Sequence, residues 1–144
     1  MTISATSLII QIKTRTEADA NYVSCQIFSS GGLQFTRELS EFQESGTDAL
    51  YKKRNLLSRD VSLTFTVKYT DPTRADIAKI FSIDESDGKA MVRYAPSGTG
   101  DVGDTYWTIP CLISAQQLPG GIGADQELEI SLMGDGKPVK TTVT

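Results

Sequence analysis

Three carboxylates at alternate positions form the pattern in this sequence that comes closest to a catalytic site. Asp125, Glu127 and Glu129 are each separated by one residue in segment 124–133, so in a β-strand they would line one side. Paired carboxylates are what glycoside hydrolysis requires. The alternative is an acidic face exposed to water, which we favour because the surrounding sequence contains no pocket-forming signal.

Two further motifs resemble ligand-binding patterns in residue type, but their sequence context or ligand order does not fit such sites. Residues 98–103 read Gly-Thr-Gly-Asp-Val-Gly, the spacing of a dinucleotide-binding loop, but they lead into the strand-like segment 105–113 and not into a helix. We therefore expect these glycines to supply permissive dihedral angles in a surface loop. The acidic turn 84–88 lacks the ligand order of an EF-hand. Neither motif predicts a cofactor or a metal.

The absence of histidine excludes several reaction types. The 144 residues contain no His, which removes Ser-His-Asp and Cys-His pairs, histidine zinc sites and the commonest general base. Cys25 and Cys111 each lie among apolar neighbours, so we expect two buried thiols and no disulfide. The sequence predicts no enzyme, no catalytic residue and no cofactor.

Aromatic residues offer a binding function of another class. Tyr94, Tyr106 and Trp107 could stack against sugar rings, which would make the protein a carbohydrate-binding β-sandwich. A lone Trp in a domain of this size is more often a core anchor, so this function is an alternative to the main prediction.

Length and charge limit the remaining classes. A chain of 144 residues predicts one domain spanning 1–144. A net charge of −4 argues against a protein that grips nucleic acid, since that task needs clustered Lys and Arg. Residues 1–10 lack the basic start of a signal peptide and are too short for a membrane span, so we expect no membrane anchor.

The clearest structural pattern is the strand 61–69. Its odd positions are apolar and its even positions polar over nine residues, which predicts a strand with one buried face. A short helix follows, capped either by Asp71 or by Thr73 with Asp76, and its core residues are Ile77, Ile80 and Phe81.

Similar but shorter patterns predict further strands at 8–16, 22–28, 90–94, 105–113 and 124–133. The fold class is therefore mainly β, sandwich- or barrel-like, with one short α-helix flanking the sheet.

The segment 31–58 has a weak pattern, and we expect a long loop there. Its basic run is either a solvated turn or an arm that becomes ordered on a neighbouring protein. The predicted contact residues of such an arm are Leu50, Tyr51, Lys52, Lys53, Arg54, Leu56 and Leu57.

The order of these elements resembles the tail tube (major tail) protein of long-tailed bacteriophages. The likeness rests on residues 107–123, a strand leading into a glycine turn, and on residues 124–138, the closing strand that ends Leu-Met-Gly-Asp-Gly-Lys-Pro. It implies rings of six copies that stack into a tube, contacts with other tail proteins, DNA only in transit, and a place in the virion tail after assembly in the host cytoplasm. A tube protein of a secretion system or phage-derived particle is the nearest alternative.

In such a tube the polar faces of two strands are expected to line the channel, because short polar side chains make a smooth wall and acidic groups do not hold phosphates. The residues predicted to face the lumen are Asp125, Glu127, Glu129, Ser62, Thr64 and Thr66.

Overall fold

One antiparallel sheet carries the architecture. The computed structural model describes residues 8–43, 52–69, 73–98, 102–118 and 126–144. The strands are β1 (Ile9–Thr14), β2 (Val23–Ser24), β3 (Ile27–Gln43), β4 (Lys52–Lys68), β5 (Lys89–Ala95), β6 (Thr105–Gln117), β7 (Glu127–Gly134) and β8 (Val139–Thr142), with a 3-10 turn at Asp19–Asn21 and the helix α1 (Ala75–Glu85). The spatial order is β2-β1-β5-β6-β7-β4-β3, and β8 pairs with β6. The predicted mainly β class with one short helix is confirmed.

The core lies between one face of the sheet and α1. The predicted alternation of residues 61–69 is confirmed, since Leu63, Phe65 and Val67 are fully or almost fully buried. They pack with alternate residues of β7 and with three isoleucines of the helix. These partners are Leu128, Ile130, Leu132, Ile77, Ile80 and Ile83.

The start of the helix differs from the prediction. Arg74 is the N-cap and makes no capping bond with its side chain, so the helix starts beyond Thr73, while Asp71 lies outside the described residues. Asp76 instead accepts bonds from the Gln26 backbone N–H (2.9 Å) and from Arg74 Nε (2.6 Å). Burial raises the pKa of this carboxyl, but the Arg74 bond and the backbone donors outweigh it and lower the pKa. Asp76 thus joins the helix to the chain before β3.

A second polar contact joins α1 to the turn after β1. Lys79 Nζ donates to both carboxylate oxygens of Glu17, at 2.8 and 3.1 Å, and the Thr14 backbone N–H donates to Glu17 Oε1 at 3.1 Å. The Lys79 bond and the Thr14 bond lower the pKa of Glu17 to about 2. The helix is therefore fixed to the sheet by charge as well as by its apolar face.

The predicted long loop at 31–58 is wrong. Most of this segment belongs to β3 and β4, two 17-residue strands that pair antiparallel with each other, while residues 44–51 lie outside the described residues. The apolar pattern is weak for two reasons. Residues 52–60 are exposed on both faces, so neither face has to be apolar. The register also shifts three times, between Ile27 and Ser29, between Ser30 and Gly32, and between Glu38 and Leu39, which breaks a period of two.

The strand predicted at 22–28 is divided. Only Val23–Ser24 pairs with β1. Cys25 N–H then donates to Ile10 O at 2.9 Å, and the chain continues as β3 at the opposite edge of the sheet. The glycines at 31 and 32 do not end this strand. Gly32, with φ +83°, lies within a bulge and β3 continues past it.

In the second half of the chain the strands predicted at 90–94 and 105–113 are confirmed with longer bounds, and the strand predicted at 124–133 is confirmed as Glu127–Gly134. Pro110 lies where β6 changes partner, since Trp107 and Thr108 pair with β8 whereas Cys111 pairs with Gly134 of β7. A proline is tolerated there because the position falls between two ladders. β8 was not predicted, because its sequence Val-Lys-Thr-Thr has no buried face.

The loop before β6 is as expected for its glycines. Gly98 and Gly103 have φ of +86° and +93°, values that other residues rarely adopt, while Gly100 lies outside the described residues. The loop is followed by strand β6 and not by a helix, so it is no dinucleotide site.

Candidate assembly surfaces

The face of the sheet opposite the core brings the predicted polar residues together. In the register of β4 and β7, Thr64 lies opposite Ser131, Thr66 opposite Glu129, and Lys68 opposite Glu127. Ser62 continues the row opposite Met133, which is 41% exposed, while Asp125 lies outside the described residues. Alternation on each strand forces this arrangement, because the intervening residues are buried.

Hydroxyl groups on this face bond to one another and to the backbone. Ser29 Oγ and Thr66 Oγ1 are 2.7 Å apart, and Ser114 Oγ donates to the Ser131 carbonyl at 3.1 Å. Glu129 is exposed and lies beside Gln117 of β6. The surface is therefore polar, with carboxylates at Glu127 and Glu129 and one cation, Lys68, opposite Glu127. We name it the polar face.

The far part of the β3–β4 hairpin extends beyond the sheet. β4 pairs with β7 only from Ser62 onward, so residues 35–43 and 52–61 pair only with each other. We name this part the hairpin arm. Of the predicted contact residues, Leu56, Leu57 and the run 52–54 lie on it, while Leu50 and Tyr51 fall outside the described residues.

Apolar side chains of the arm are exposed to solvent in the single chain. Leu57 is 59% exposed, Phe35 54% and Leu39 48%. Phe42 and Leu56 are exposed as well. Sequence reasoning did not assign Phe35, Leu39 and Phe42 to the arm, although their apolar character within a polar segment was the available signal. Exposed apolar residues on a long hairpin with an open outer edge indicate a surface that another chain covers.

The basic run of the arm is paired within the hairpin. Glu41 accepts from Arg54 at 3.3 Å and lies 3.5 Å from Lys52 Nζ. These groups are about half exposed, so the pairs contribute little to stability. They lie between residues that the backbone ladder already places opposite or next to each other, and they leave the apolar residues available for contact.

The predicted aromatic platform does not form. Trp107 and Tyr94 are paired in register on the core side of the sheet, whereas Tyr106, the neighbour of Trp107 in the strand, points to the opposite face and contacts Arg93 at 5.1 Å. Trp107 instead lies 6.5 Å from the Phe35 ring, at the base of the hairpin arm. A sugar ring could not stack on all three.

A cleft opens at that base, where β7 ends and the sheet separates. It has a volume of about 680 Å³ between the arm on one side and β6 and β8 on the other. The side chains that characterise its lining are Phe35, Trp107, Arg37, Arg59, Lys137 and Lys140. We name it the basic cleft.

The thiols are not suited to nucleophilic chemistry. Cys111 is buried and Cys25 partly buried, both are free, and burial raises the pKa of each to about 12. Within the described ranges no three His, Cys, Asp or Glu side chains are placed to hold a metal ion. Among those same residues no helix has the length and apolar character needed to cross a membrane.

Comparison with protein families and with curated proteins gave no match to this chain. Solved structures do match over its whole length. A chain from the tail of an empty gene transfer agent particle with C6 symmetry superposes with a TM-score of 0.77 at 12% identity, covering 98% of this chain and 100% of that one. A chain of the six-fold symmetrised anti-feeding prophage baseplate gives 0.72 at 15% identity, covering 100% and 97%.

The tail tube of phage SPP1 gives 0.69 at 11% identity, covering 99% of this chain and 81% of that one. At such low identity these likenesses establish a common fold. The protein therefore has the fold of tail tube subunits from phages and phage-like particles.

Proposed function

We propose that the protein is a structural subunit of a phage tail tube, in which copies form rings of six and the rings stack around a channel for DNA. The observation that carries this proposal is the whole-length likeness to a tail chain of a particle with C6 symmetry. No catalytic role is assigned to any residue. The protein would be located in the virion tail after assembly in the host cytoplasm.

The hairpin arm supports self-assembly. Its exposed apolar residues and the open edge of β3 are costly in a lone chain and are satisfied when a neighbouring subunit covers them. We assign the arm residues Lys52, Lys53, Arg54, Leu56 and Leu57 to contacts between subunits, together with Phe35, Leu39 and Phe42.

The polar face supports a channel. In a ring the face opposite the helix is the one free of a packed layer, so we place Ser62, Thr64, Thr66, Glu127 and Glu129 on the lumen wall. The Thr66 hydroxyl bonds to Ser29, and the carboxylates of Glu127 and Glu129 repel the DNA backbone. Repulsion of this kind allows the duplex to slide.

A second candidate is the tube of a phage-derived injection particle. The likeness to an extracellular contractile injection system, with a TM-score of 0.69 and 14% identity over 99% of this chain and 93% of that one, favours it to nearly the same extent. The two candidates share the ring and differ in what passes through it.

Electron microscopy of the purified protein at rising concentration tests ring formation, which both candidate functions require. We expect six-fold rings or tubes, and a protein that stays monomeric at every concentration and with purified tail initiator would contradict the proposal.

A double substitution tests the channel. Glu127→Lys with Glu129→Lys should still fold and form rings, because surface charges contribute little to stability and the new cation opposite Lys68 costs about 1 kcal/mol or less. It should slow DNA delivery by the assembled particle, because phosphate contacts would recur in every ring. The matched control is Glu127→Gln with Glu129→Gln, which removes the charge without adding a cation. Normal delivery by the Lys particles, or side chains located on the outer wall, would refute the lumen assignment.

A further inference from the structure

The basic cleft contains an unusual pair of like charges. Arg37 and Arg59 lie directly opposite each other in the β3–β4 register, on the side of the arm that faces the cleft. Like charges in this position destabilise a hairpin. Neither guanidinium is paired with a carboxylate within the described part of the chain. The arrangement is therefore unfavourable in the isolated subunit.

Other groups make the cleft more basic. Lys137 lies on its lining, and Lys140 Nζ is 5.9 Å from the centre of the Trp107 ring. Among the described residues of the lining Asp60 is the one carboxylate, and its Oδ1 accepts the Val61 backbone N–H at 2.8 Å. Four cations thus surround an aromatic floor in a protein whose net charge is −4.

Negative charges are unfavourably placed at the C-terminal end of α1. Asp84, Glu85 and Asp87 are exposed in the last turn of the helix and just after it, and no basic residue lies in that turn. The C-terminus of a helix carries partial negative charge, so carboxylates there are unfavourable. We name residues 84–87 the acidic turn.

The acidic turn has a defined shape. The helix ends at Glu85 with Ser86 as its C-cap, the backbone N–H groups of Ser86 and Gly88 both donate to Ile83 O, at 3.2 and 3.0 Å, and Gly88 turns the chain with φ +71°. Ile83 itself is fully buried. A turn fixed in this way presents its carboxylates without a large loss of conformational entropy on binding.

We propose that the acidic turn of one copy docks in the basic cleft of a second copy. Each surface offsets the charge mismatch of the other, and the aromatic floor packs against the backbone of the turn. The two surfaces lie on different parts of the chain, so the contact is heterologous and propagates from copy to copy into a ring or a stack. This inference rests on the proposed tube function and specifies which surfaces pair in it.

A charge-swap cycle tests this pairing. Arg37→Glu with Arg59→Glu reverses the cleft, and Asp84→Lys with Glu85→Lys reverses the turn. Each reversal should raise the protein concentration needed for assembly by about tenfold or more, because like charges then face each other across the contact. All four substitutions in one chain should restore assembly to within about threefold of the wild type. Sedimentation and electron microscopy give the readout.

Conservative variants are the matched control. Arg37→Lys with Arg59→Lys keeps the charge of the cleft and should assemble like the wild type. The circular dichroism of each monomer must match the wild type and its unfolding midpoint must not be lower, which separates assembly from folding.

Each result distinguishes the pairing from the tube function. If the wild type forms no rings or tubes, the tube function fails and the pairing fails with it. If the wild type assembles but reversal leaves assembly unchanged, or the combined variant is not rescued, the pairing is wrong and the tube function stands. If the monomer binds a DNA duplex through the cleft and cleft reversal abolishes only that binding, the cleft is a phosphate site and the pairing is again wrong.

Discussion

Strand β4 has two parts with opposite surroundings. From Val61 to Val67, alternate residues are buried in the core that also contains the isoleucines of α1, and β7 pairs with the strand from Ser62 onward, whereas residues 52–60 are all exposed. The chain is equally extended in both parts, so the difference comes from what packs on it. The first part completes the core of one subunit, and the second requires contacts that a single chain does not supply.

Removing an aromatic side chain from each part of β4 and its partner strand should give the largest change in stability. The change should be much larger in the buried part than in the hairpin arm. Phe65→Ala empties a fully buried position and should lower the free energy of unfolding by about 3–5 kcal/mol. Phe35→Ala, on the arm, loses mainly its contact with Trp107 and should cost about 1 kcal/mol. Urea unfolding of both variants measures this. Equal losses would show that the arm belongs to the same folding core.

The arm should matter more for assembly than for folding. Leu56→Ser with Leu57→Ser should change the free energy of unfolding by less than about 0.5 kcal/mol, because both side chains are already exposed. The same change should weaken assembly by about 30-fold, the loss of roughly 2 kcal/mol expected for a contact hot spot. Sedimentation velocity measures assembly. Unchanged assembly would remove these two leucines from the subunit contact.

Amide hydrogen exchange should differ between the buried and the exposed part of β4. In the monomer, amides of residues 61–67 should exchange with a free energy near that of global unfolding, and those of 52–60 with at least about 2 kcal/mol less. Ring formation should protect the arm. Equal protection along β4 in a confirmed monomer would contradict this division.

Acid should weaken the contacts between β1 and α1, with a smaller effect than the core substitutions. The folded pKa of Glu17, about 2, lies below its ordinary value of 4.5, so its contribution is present above pH 4.5 and is lost as the pH falls towards 2. Glu17→Gln should be less stable than the wild type at pH 7 and closer to it at pH 3. Urea unfolding at both values checks this, and an equal difference at both would contradict the assigned role.

The sequence predicted those parts of the fold in which one face is buried. Apolar and polar residues alternate in β4 and β7, which identifies the buried residues Leu63, Phe65 and Val67 and those of β7. The helix α1 is identified by its isoleucines. The arm could not be read in this way, because its partner is absent from the chain and bulges shift its phase. The helix cap was missed because Asp76 bonds to Gln26, a contact across 50 residues.

The candidate surfaces were predictable to a similar extent. The polar face follows from the same alternation that defines the core, so Ser62, Thr64, Thr66, Glu127 and Glu129 could be assigned to one side in advance. Their place on a lumen wall is still a proposal. The basic cleft was not predictable, because it depends on Arg37 meeting Arg59 and on β8, both results of pairing between distant segments.

The bulges of β3 also determine where the gene can change length. Between Ser30 and Gly32 the strand holds one residue more than its partner, so deleting Gly31 would leave both flanking segments paired with their present partners on β4. A deletion in the regular stretch from Leu33 to Arg37 would instead move each later side chain to the opposite face. Related genes should therefore gain or lose single codons at the bulges and keep constant length between them.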